Sequence, residues 1–532
     1  MASKATYADM VLTGATVVAM TTPDAFGSAL SIAIGGDRIL AVGPAEAIAP
    51  LIGPRTQHLD LGGRTVLPGF IDSHVHFTQA GLGGLGPSVY DETSHARVLA
   101  VVTQTVATAK PGQAVLVHGC AIGDLDLLIT RRDLDAISLD CPIMIGDVGA
   151  HACIVNHAAF DLLALPADIA GVGRYDDGTV DGVLRDKANT EARYRYYTQA
   201  IDDETRAAAM HRAARMAAAV GITTVHALEG GSPGGRGWLP ERDVEILLRE
   251  QDRLAISTVI YFQSTDVERV LSLKLPRIGG CIWVDGAYDE GTAALLEPYC
   301  HCPHSKGSLY FSDDELNVFV KTAHAAGLQI SMHAIGDAAI EQLLNAYELA
   351  LNAFPRDDHR HRIEHFSLPT AAQIARAARL GVAVGMQPNF ATVPDPLPRA
   401  SDEPAGLVKY LGFERYQRRH PYRRILDAGV LIAGGSDADP KPMGPLIGIQ
   451  AVAAHPEADR RLSIYEALSL YTTNAARIAF EEQDKGTIEP GKLADLVVLD
   501  ANPLTTVPDQ LARIAVRKTI SRGVIVHDQD AA

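Results

Sequence analysis

Two histidines, His74 and His76, stand two residues apart at the end of an apolar, β-branched run at 69–77. Residues two apart on a strand point the same way, so both imidazoles can meet one ion. Three further polar residues close other apolar runs. His333 ends the run at 328–333, His365 lies near the end of 362–366, and Asp437 ends 430–437 after Ala433-Gly434-Gly435-Ser436. Four imidazoles and a carboxylate suit zinc or a similar divalent ion. The question is which architecture could bring them together.

Eight such runs occur in the middle of the chain, at 69–77, 221–228, 255–262, 281–286, 328–333, 362–366, 382–387 and 430–437. Most intervals after the second carry helical patterns, as at 313–326, 338–353 and 370–379. This alternation fits an α/β fold of the (β/α)8 barrel type better than an open doubly wound sheet. In a parallel barrel the C-terminal strand ends share one rim, so the five residues converge there. No Gly-x-Gly-x-x-Gly opens a helix after the first run, which argues against a dinucleotide site.

The two ends of the chain read differently. Short strands and turns fill 8–66, and 494–500, 514–519 and 523–526 resemble three more strands. One small β-sandwich built from both termini, 1–65 with 487–532, is expected beside a distorted TIM barrel at 66–486. The interval between the first two runs is too long for a connection. It contains strand-like segments at 114–118 and 142–148, so an insertion is expected at about 80–200. A second long interval, 388–422, is rich in proline and charge. Long insertions at a barrel rim usually shape the active site.

Composition narrows the partners. The 532 residues carry 47 Lys and Arg against 64 Asp and Glu, a net charge of −17, which should repel a phosphate backbone. Nucleic acid is therefore not an expected partner; a small-molecule substrate is. Nothing approaches the about 20 apolar residues of a membrane span. Six cysteines in this length form no disulfide framework, which suggests a reducing, cytoplasmic setting. Symmetric association is common among soluble enzymes, so a homodimer is the prior expectation.

The segment Val66-Leu67-Pro68-Gly69-Phe70-Ile71-Asp72-Ser73-His74-Val75-His76 resembles the opening signature of the amidohydrolase superfamily. Asp285-Gly286, His333-Ala334-Ile335-Gly336-Asp337, Arg362-Ile363-Glu364-His365, Gln387-Pro388, Gly435-Ser436-Asp437 and Gly491-Lys492-Leu493-Ala494-Asp495-Leu496 resemble its family 3, the YtcJ-like branch. The resemblance implies the barrel and composite β-sandwich already inferred. It implies that His74, His76 and Asp437 hold one metal ion and His333 and His365 a second. The family commonly bridges the two with a carboxylated lysine four residues before the Asp-Gly pair, where this chain has Cys281. Two readings of Cys281 stand: a thiolate that binds or bridges metal, or a small core residue beside a single ion.

The resulting expectation is hydrolysis of a non-peptide C–N bond, in an amide or N-acyl amine, by a metal-activated water. Asp437 would shuttle the proton, and His333 would help polarise the carbonyl. His151, in Gly149-Ala150-His151-Ala152, resembles a family pattern near the substrate and is either an oxyanion donor or structural. Asp285 and Gln387 are candidate substrate contacts, although Asp285 could equally support a loop. His226 reads as a rim histidine satisfied by its neighbours. Arg415, Arg418, Arg419, Arg423 and Arg424 form a basic run that reads as a solvated face, with one arginine able to steer an anionic substrate. The alternatives are a cyclic amidohydrolase or deaminase on the same site, and a catalytically silent binding or regulatory protein.

Overall fold

The computed structural model describes residues 7–23, 27–83, 86–90, 92–110, 112–147, 152–166, 168–231, 240–288, 291–391, 406–438 and 441–531. Eight parallel strands pair in chain order: β1 (Phe70–Val75), β2 (Ile222–Glu229), β3 (Ser257–Phe262), β4 (Arg277–Ile278), β5 (Gln329–Ala334), β6 (Arg362–His365), β7 (Ala383–Met386) and β8 (Ile432–Gly434). Every residue of β1, β2, β5, β6, β7 and β8 is buried, as expected where helices cover the outside of a parallel sheet. Beyond β8 the chain returns to β1. The Asp437 N–H donates to His74 O and the His76 N–H to Ala438 O, both at 2.9 Å, which closes the ring.

That closure needs a residue without a side chain. A Cβ on Gly435 would lie 2.5 Å from His74 Cβ and 2.7 Å from its backbone nitrogen. Both backbones can approach only because position 435 is glycine.

The structure moves two strand boundaries. The fourth run, expected at 281–286, is not a regular strand. Only Arg277–Ile278 pairs as β4, because Gly279 and Gly280 follow with φ of +95° and +58°. Past this break the chain runs beside β5 irregularly. Val284 N–H donates to His333 O and His333 N–H to Ile282 O, each at 3.0 Å. Cys281 therefore sits off the ladder, its N–H held by Gln263 Oε1 at 3.1 Å. In the second run, β2 continues to Glu229, so His226 lies inside the strand rather than at its end.

Helices between the strands carry their own start signals. Asp313–Ala325 is opened by Ser312, whose N–H donates to Glu315 Oε2 at 2.9 Å while the Glu315 N–H donates back to Ser312 Oγ. Ala371–Leu380 uses Thr370 and Gln373 in the same way. In the interval 388–422, the described part contains a 3-10 turn, Pro388–Ala391, and two short α-helices, Gly406–Leu411 and Phe413–Arg418.

Both termini build one continuous eight-stranded sheet, with Leu496–Leu499 inserted between Thr65–Pro68 and Val516–Ser521. Alternation divides its contacts. Leu496 and Val498 join Met10, Leu12, Ile32, Val66 and Ile520 in the sheet's own core, whereas Val497, Leu499 and Leu67 join the barrel core. Strand Thr65–Pro68 spans the expected junction at 65–66 and leads through Gly69 directly into β1.

The insertion folds around a five-stranded sheet that includes Val115–Cys120 and Ile143–Asp147, the two segments legible in the sequence. Its faces also alternate: Leu116, Met144 and Leu184 pack on one side, and Val115, Val117, Ile145 and Val183 on the other. Among the described residues, no helix is long and apolar enough to cross a membrane. The closure makes a direct prediction. Gly435→Ala should destabilise the barrel by about 1–3 kcal/mol, the usual cost of overpacking, read as a lower midpoint of thermal inactivation. An unchanged midpoint would mean that β1 and the 435–438 segment are free to move apart.

Candidate metal centre

Barrel closure brings the chemistry of opposite ends of the barrel sequence into one cluster. Asp437 Oδ1 lies 3.2 Å from His74 Nε2 and 3.3 Å from His76 Nε2. On the neighbouring strands the His333 and His365 rings are 4.5 Å apart, and the His74 and His365 rings 5.0 Å. Cys281 Sγ lies between them, 3.6 Å from His365 Nε2 and 3.9 Å from His333 Nδ1. Three overlapping triads result: His74, His76 and Cys281; Cys281, His333 and His365; and His74, His365 and Asp437. In each, the potential ligand atoms lie within 4.8 Å of one another. His365 and Asp437 adopt left-handed backbone conformations, with φ of +68° and +57°. Such strain in non-glycine residues persists where surrounding structure over-determines it, commonly at functional sites.

These donors fit a divalent ion. Imidazole, thiolate and carboxylate are the usual ligands of zinc. His74 Nε2 is fully buried, and among the described residues it makes no hydrogen bond although it faces Asp437. Once it gives up its proton, a buried nitrogen so placed can offer its lone pair to a metal ion.

The charges already compensate one another. Burial alone would favour neutral groups. Instead the Cys281 and Asp437 charges hold the His74 pKa well above the ordinary imidazole value, and His76 is pushed up to about 9. Burial also opposes ionisation of Cys281, but His74 and hydrogen bonds from His333 and His365 hold its thiol well below the usual range. Asp437, despite burial, is held well below the carboxylate range, first by His74. Without metal, His74 and His76 are therefore held toward imidazolium beside a Cys281 thiolate and an Asp437 carboxylate.

Glu364 aligns this array and was not singled out by the sequence reading. Its Oε2 accepts a hydrogen bond from His74 Nδ1 at 2.7 Å, leaving His74 Nε2 to face the centre. Its Oε1 accepts from Ser331 Oγ at 2.5 Å and lies 2.7 Å from Arg362 Nε. Arg362 Nη2 also donates to Ser73 O at 2.8 Å, and Nη1 meets His226 Nδ1 at 3.1 Å. This is the carboxylate–histidine arrangement that orients metal-binding imidazoles. Its sequence signal was the Arg-x-Glu-His spacing, which puts Arg362 and Glu364 on one side of β6.

The remaining candidates separate. Asp285 is completely buried and accepts the N–H groups of Ala294, Ile335 and Gly336 at 2.8–2.9 Å. Its Oδ1 lies 3.5 Å from His333 Nε2. Such occupancy fits the second of its two readings, a support for two loops and for His333. Burial nevertheless pushes its pKa up to about 6. Gln387 is buried just after β7, and its Nε2 has no hydrogen-bond partner among the described residues. His226 is buried and held neutral by burial and then by Arg362, apart from the ligand triads. Glu229, missed in the sequence, ends β2 and accepts the Thr78 N–H at 2.7 Å, fixing the turn after His76. Burial and then Asp243 push its carboxyl up to about 8. His151 lies outside the described residues.

A closed parallel barrel with histidines and a carboxylate at one rim is the architecture of amidohydrolases, and Cys281 is this chain's departure from it. Residues 57–527 match the amidohydrolase family, and the chain belongs to it. YtcJ of Bacillus subtilis strain 168, named as an amidohydrolase, is 28% identical over 504 residues, covering 90% of this chain and 91% of its own. N-substituted formamide deformylase of Arthrobacter pascens is 26% identical over 543 residues, covering 94% and 95%. The crystal structure of an uncharacterized metal-dependent hydrolase from Pyrococcus furiosus superposes with a TM-score of 0.76 at 25% identity, covering 93% of this chain and 100% of that one.

Two measurements test this geometry. Glu364→Gln should weaken divalent-metal affinity about 10–100-fold in a chelator competition; unchanged affinity would show that His74 needs no such orientation. Because His76 keeps its proton up to about 9 in the metal-free chain, metal uptake must displace it. Apparent affinity should therefore still be rising with pH as it approaches about 9, with proton release detectable in weakly buffered calorimetry.

Proposed function

We propose that this chain is a divalent-metal hydrolase that splits a non-peptide C–N bond, in an amide or N-acyl amine, with water as the nucleophile. The observation that carries the reading is the convergence of six potential ligands at the closed rim. In this reading His74, His76 and Asp437 hold one ion, His333 and His365 a second, and Cys281 faces both. Zinc is the ion this donor set favours. When bound, such an ion polarises a carbonyl oxygen and makes water acidic enough to ionise near neutrality.

The chain's own groups supply the proton traffic and alignment. Asp437, ionised at neutral pH, takes a proton from the attacking water as the C–O bond forms. It returns that proton to the leaving nitrogen as the C–N bond breaks, giving a carboxylic acid and an amine. Glu364 and Asp285 keep His74 and His333 in place throughout. Gln387, whose buried amide N–H has no partner among the described residues, is assigned to substrate, and His151 to the substrate carbonyl on its sequence motif alone. The relative named as a deformylase of N-substituted formamides supports this bond class. Buried free thiols at Cys120, Cys141, Cys153 and Cys281 agree with a cytoplasmic, reducing workplace.

Metal content per chain, measured by elemental analysis on the wild type and Cys281→Ala, separates the arrangements. Two ions falling to one in the variant is the expected result; one ion in both would make Cys281 structural. Absence of metal in either after reconstitution would refute the hydrolase reading. On a panel of N-formyl and N-acetyl amines, Asp437→Asn should cut kcat by about 10²–10⁴-fold.

A further inference from the structure

The basic run in the late rim segment is not a uniform solvated face. Arg418 pairs with Asp337 at 2.6 Å, Arg423 with Glu466 at 2.8 Å, and Arg424 with Asp459. Arg415 donates to the carbonyls of Glu297 and Pro298. Arg419 differs from all four. It alone of the five is buried, at 8% exposure, and among the described residues it has no carboxylate partner and, unlike Arg415, no pair of carbonyls across its guanidinium. Its guanidinium stacks 4.2 Å from the Tyr416 ring centroid, and its Nε donates to Tyr416 O at 3.2 Å.

A second buried guanidinium converges on the same carbonyl. Arg460 is 3% exposed, and its Nη2 also donates to Tyr416 O at 3.2 Å. One carboxylate, Glu457, answers it at 3.1 Å from Nη1. Two like charges thus meet at the Tyr416 carbonyl; Arg460 also donates to Gln417 O and pairs with Glu457, whereas Arg419 is left without a counter-charge among the described residues. Buried charges are ordinarily paired, and removal from water makes an uncompensated one strongly unfavourable.

Two neighbouring imidazoles are unfinished in the same way. His420 Nδ1 and His455 Nε2 are buried without a hydrogen-bond partner among the described residues, as is Arg460 Nε. Burial and the charges of the two arginines keep both imidazoles neutral, His455 with its pKa lowered to about 4. Each can therefore offer an N–H without adding a charge.

The cluster adjoins the metal centre. The His420 N–H donates to Ser367 O at 2.8 Å, two residues past His365. His420 Nε2 meets the Tyr288 hydroxyl at 3.3 Å, and the Tyr288 ring lies 5.9 Å from the Arg419 guanidinium. His420 has φ of +50°, a strained conformation at the step that turns its side chain inward.

We propose that Arg419, Arg460, His420 and His455 form an anion pocket for a carboxylate on the substrate. The preferred substrate is then an amide or N-acyl amine carrying a carboxylate on its amine portion; this rests on the hydrolase reading above. The carboxylate supplies the missing counter-charge, and Arg419 offers it the Nη N–H groups, which make no hydrogen bond among the described residues. In a chain of net charge −17, such a local positive site is also needed to admit an anion.

The test uses N-formyl and N-acetyl amines with a terminal carboxylate at increasing chain length, each paired with its terminal carboxamide. Binding is measured by calorimetry on the protein as purified, and kcat/KM on the metal-loaded enzyme. The best carboxylate should bind about tenfold or more tighter than its carboxamide, the scale of a charge-assisted bidentate contact. Arg419→Met should erase that preference, and Arg419→Lys should retain only part of it. If Arg419→Met fails to fold by circular dichroism, the wild-type and Arg419→Lys comparisons decide. Equal binding of the pair, or a preference that survives loss of Arg419, overturns the pocket; turnover of neutral amides would then leave the hydrolase reading intact. Carboxylate-selective binding without turnover of any amide supports the pocket and overturns that reading instead.

Discussion

The hydrogen bonds between the 437–438 segment and β1 are the constraint on which the metal centre depends. They place the Asp437 carboxylate against two imidazoles from the opposite end of the barrel. Both backbones must lie unusually close, which Gly435 permits, and Asp437 must turn through a left-handed conformation, which the closed ring enforces. A barrel open at this seam would keep its helices and much of its core. It would lose the convergence of residues that makes the rim chemical.

Electrostatics inside this seam follow from shared burial. No group in the cluster could ionise alone at such low exposure, so each charge exists because of its neighbours. Cys281 is central because its thiol stands near both histidine pairs, and its acidity is set by them. Behind the cluster, Glu364 and Arg362 form a completely buried pair with further hydrogen bonds to His74, Ser331, Ser73 and His226. Such satisfaction is what makes a buried ion pair tolerable, and here it also sets the direction in which His74 points.

Much of this was legible in the sequence because strand period and barrel geometry are simple. His74, His76, His333 and Asp437 could be placed on one rim from apolar runs and their ends alone. The fourth strand was misplaced because 281–286 is apolar and β-branched enough to read as a strand, while the two glycines before it decide the geometry. Glu364 was quoted but given no role, since nothing local shows that a carboxylate will face inward across a barrel. His226 was placed at a strand end for the same reason: a buried run gives no sign of where pairing stops. Asp285 shows the opposite limit. Its position near the rim was right, but its hydrogen bonds come from Ala294, Ile335 and Gly336, which only folding brings to it. Arg419 could not be separated from its four neighbours, because partners distant in sequence pair the others.

The same topology sets an order of events during synthesis. The histidine pair on β1 emerges early, yet its carboxylate partner follows more than half the chain later, after every other barrel strand. Strand Thr65–Pro68, just ahead of β1, likewise waits for Leu496–Leu499 near the C-terminus before its edge is covered. Contacts this distant are slow to form and leave apolar edges exposed in the interim. A chain stalled or clipped before β8 holds several ligands but cannot complete the cluster, so a fully loaded centre certifies that nearly the entire polypeptide has been made and folded.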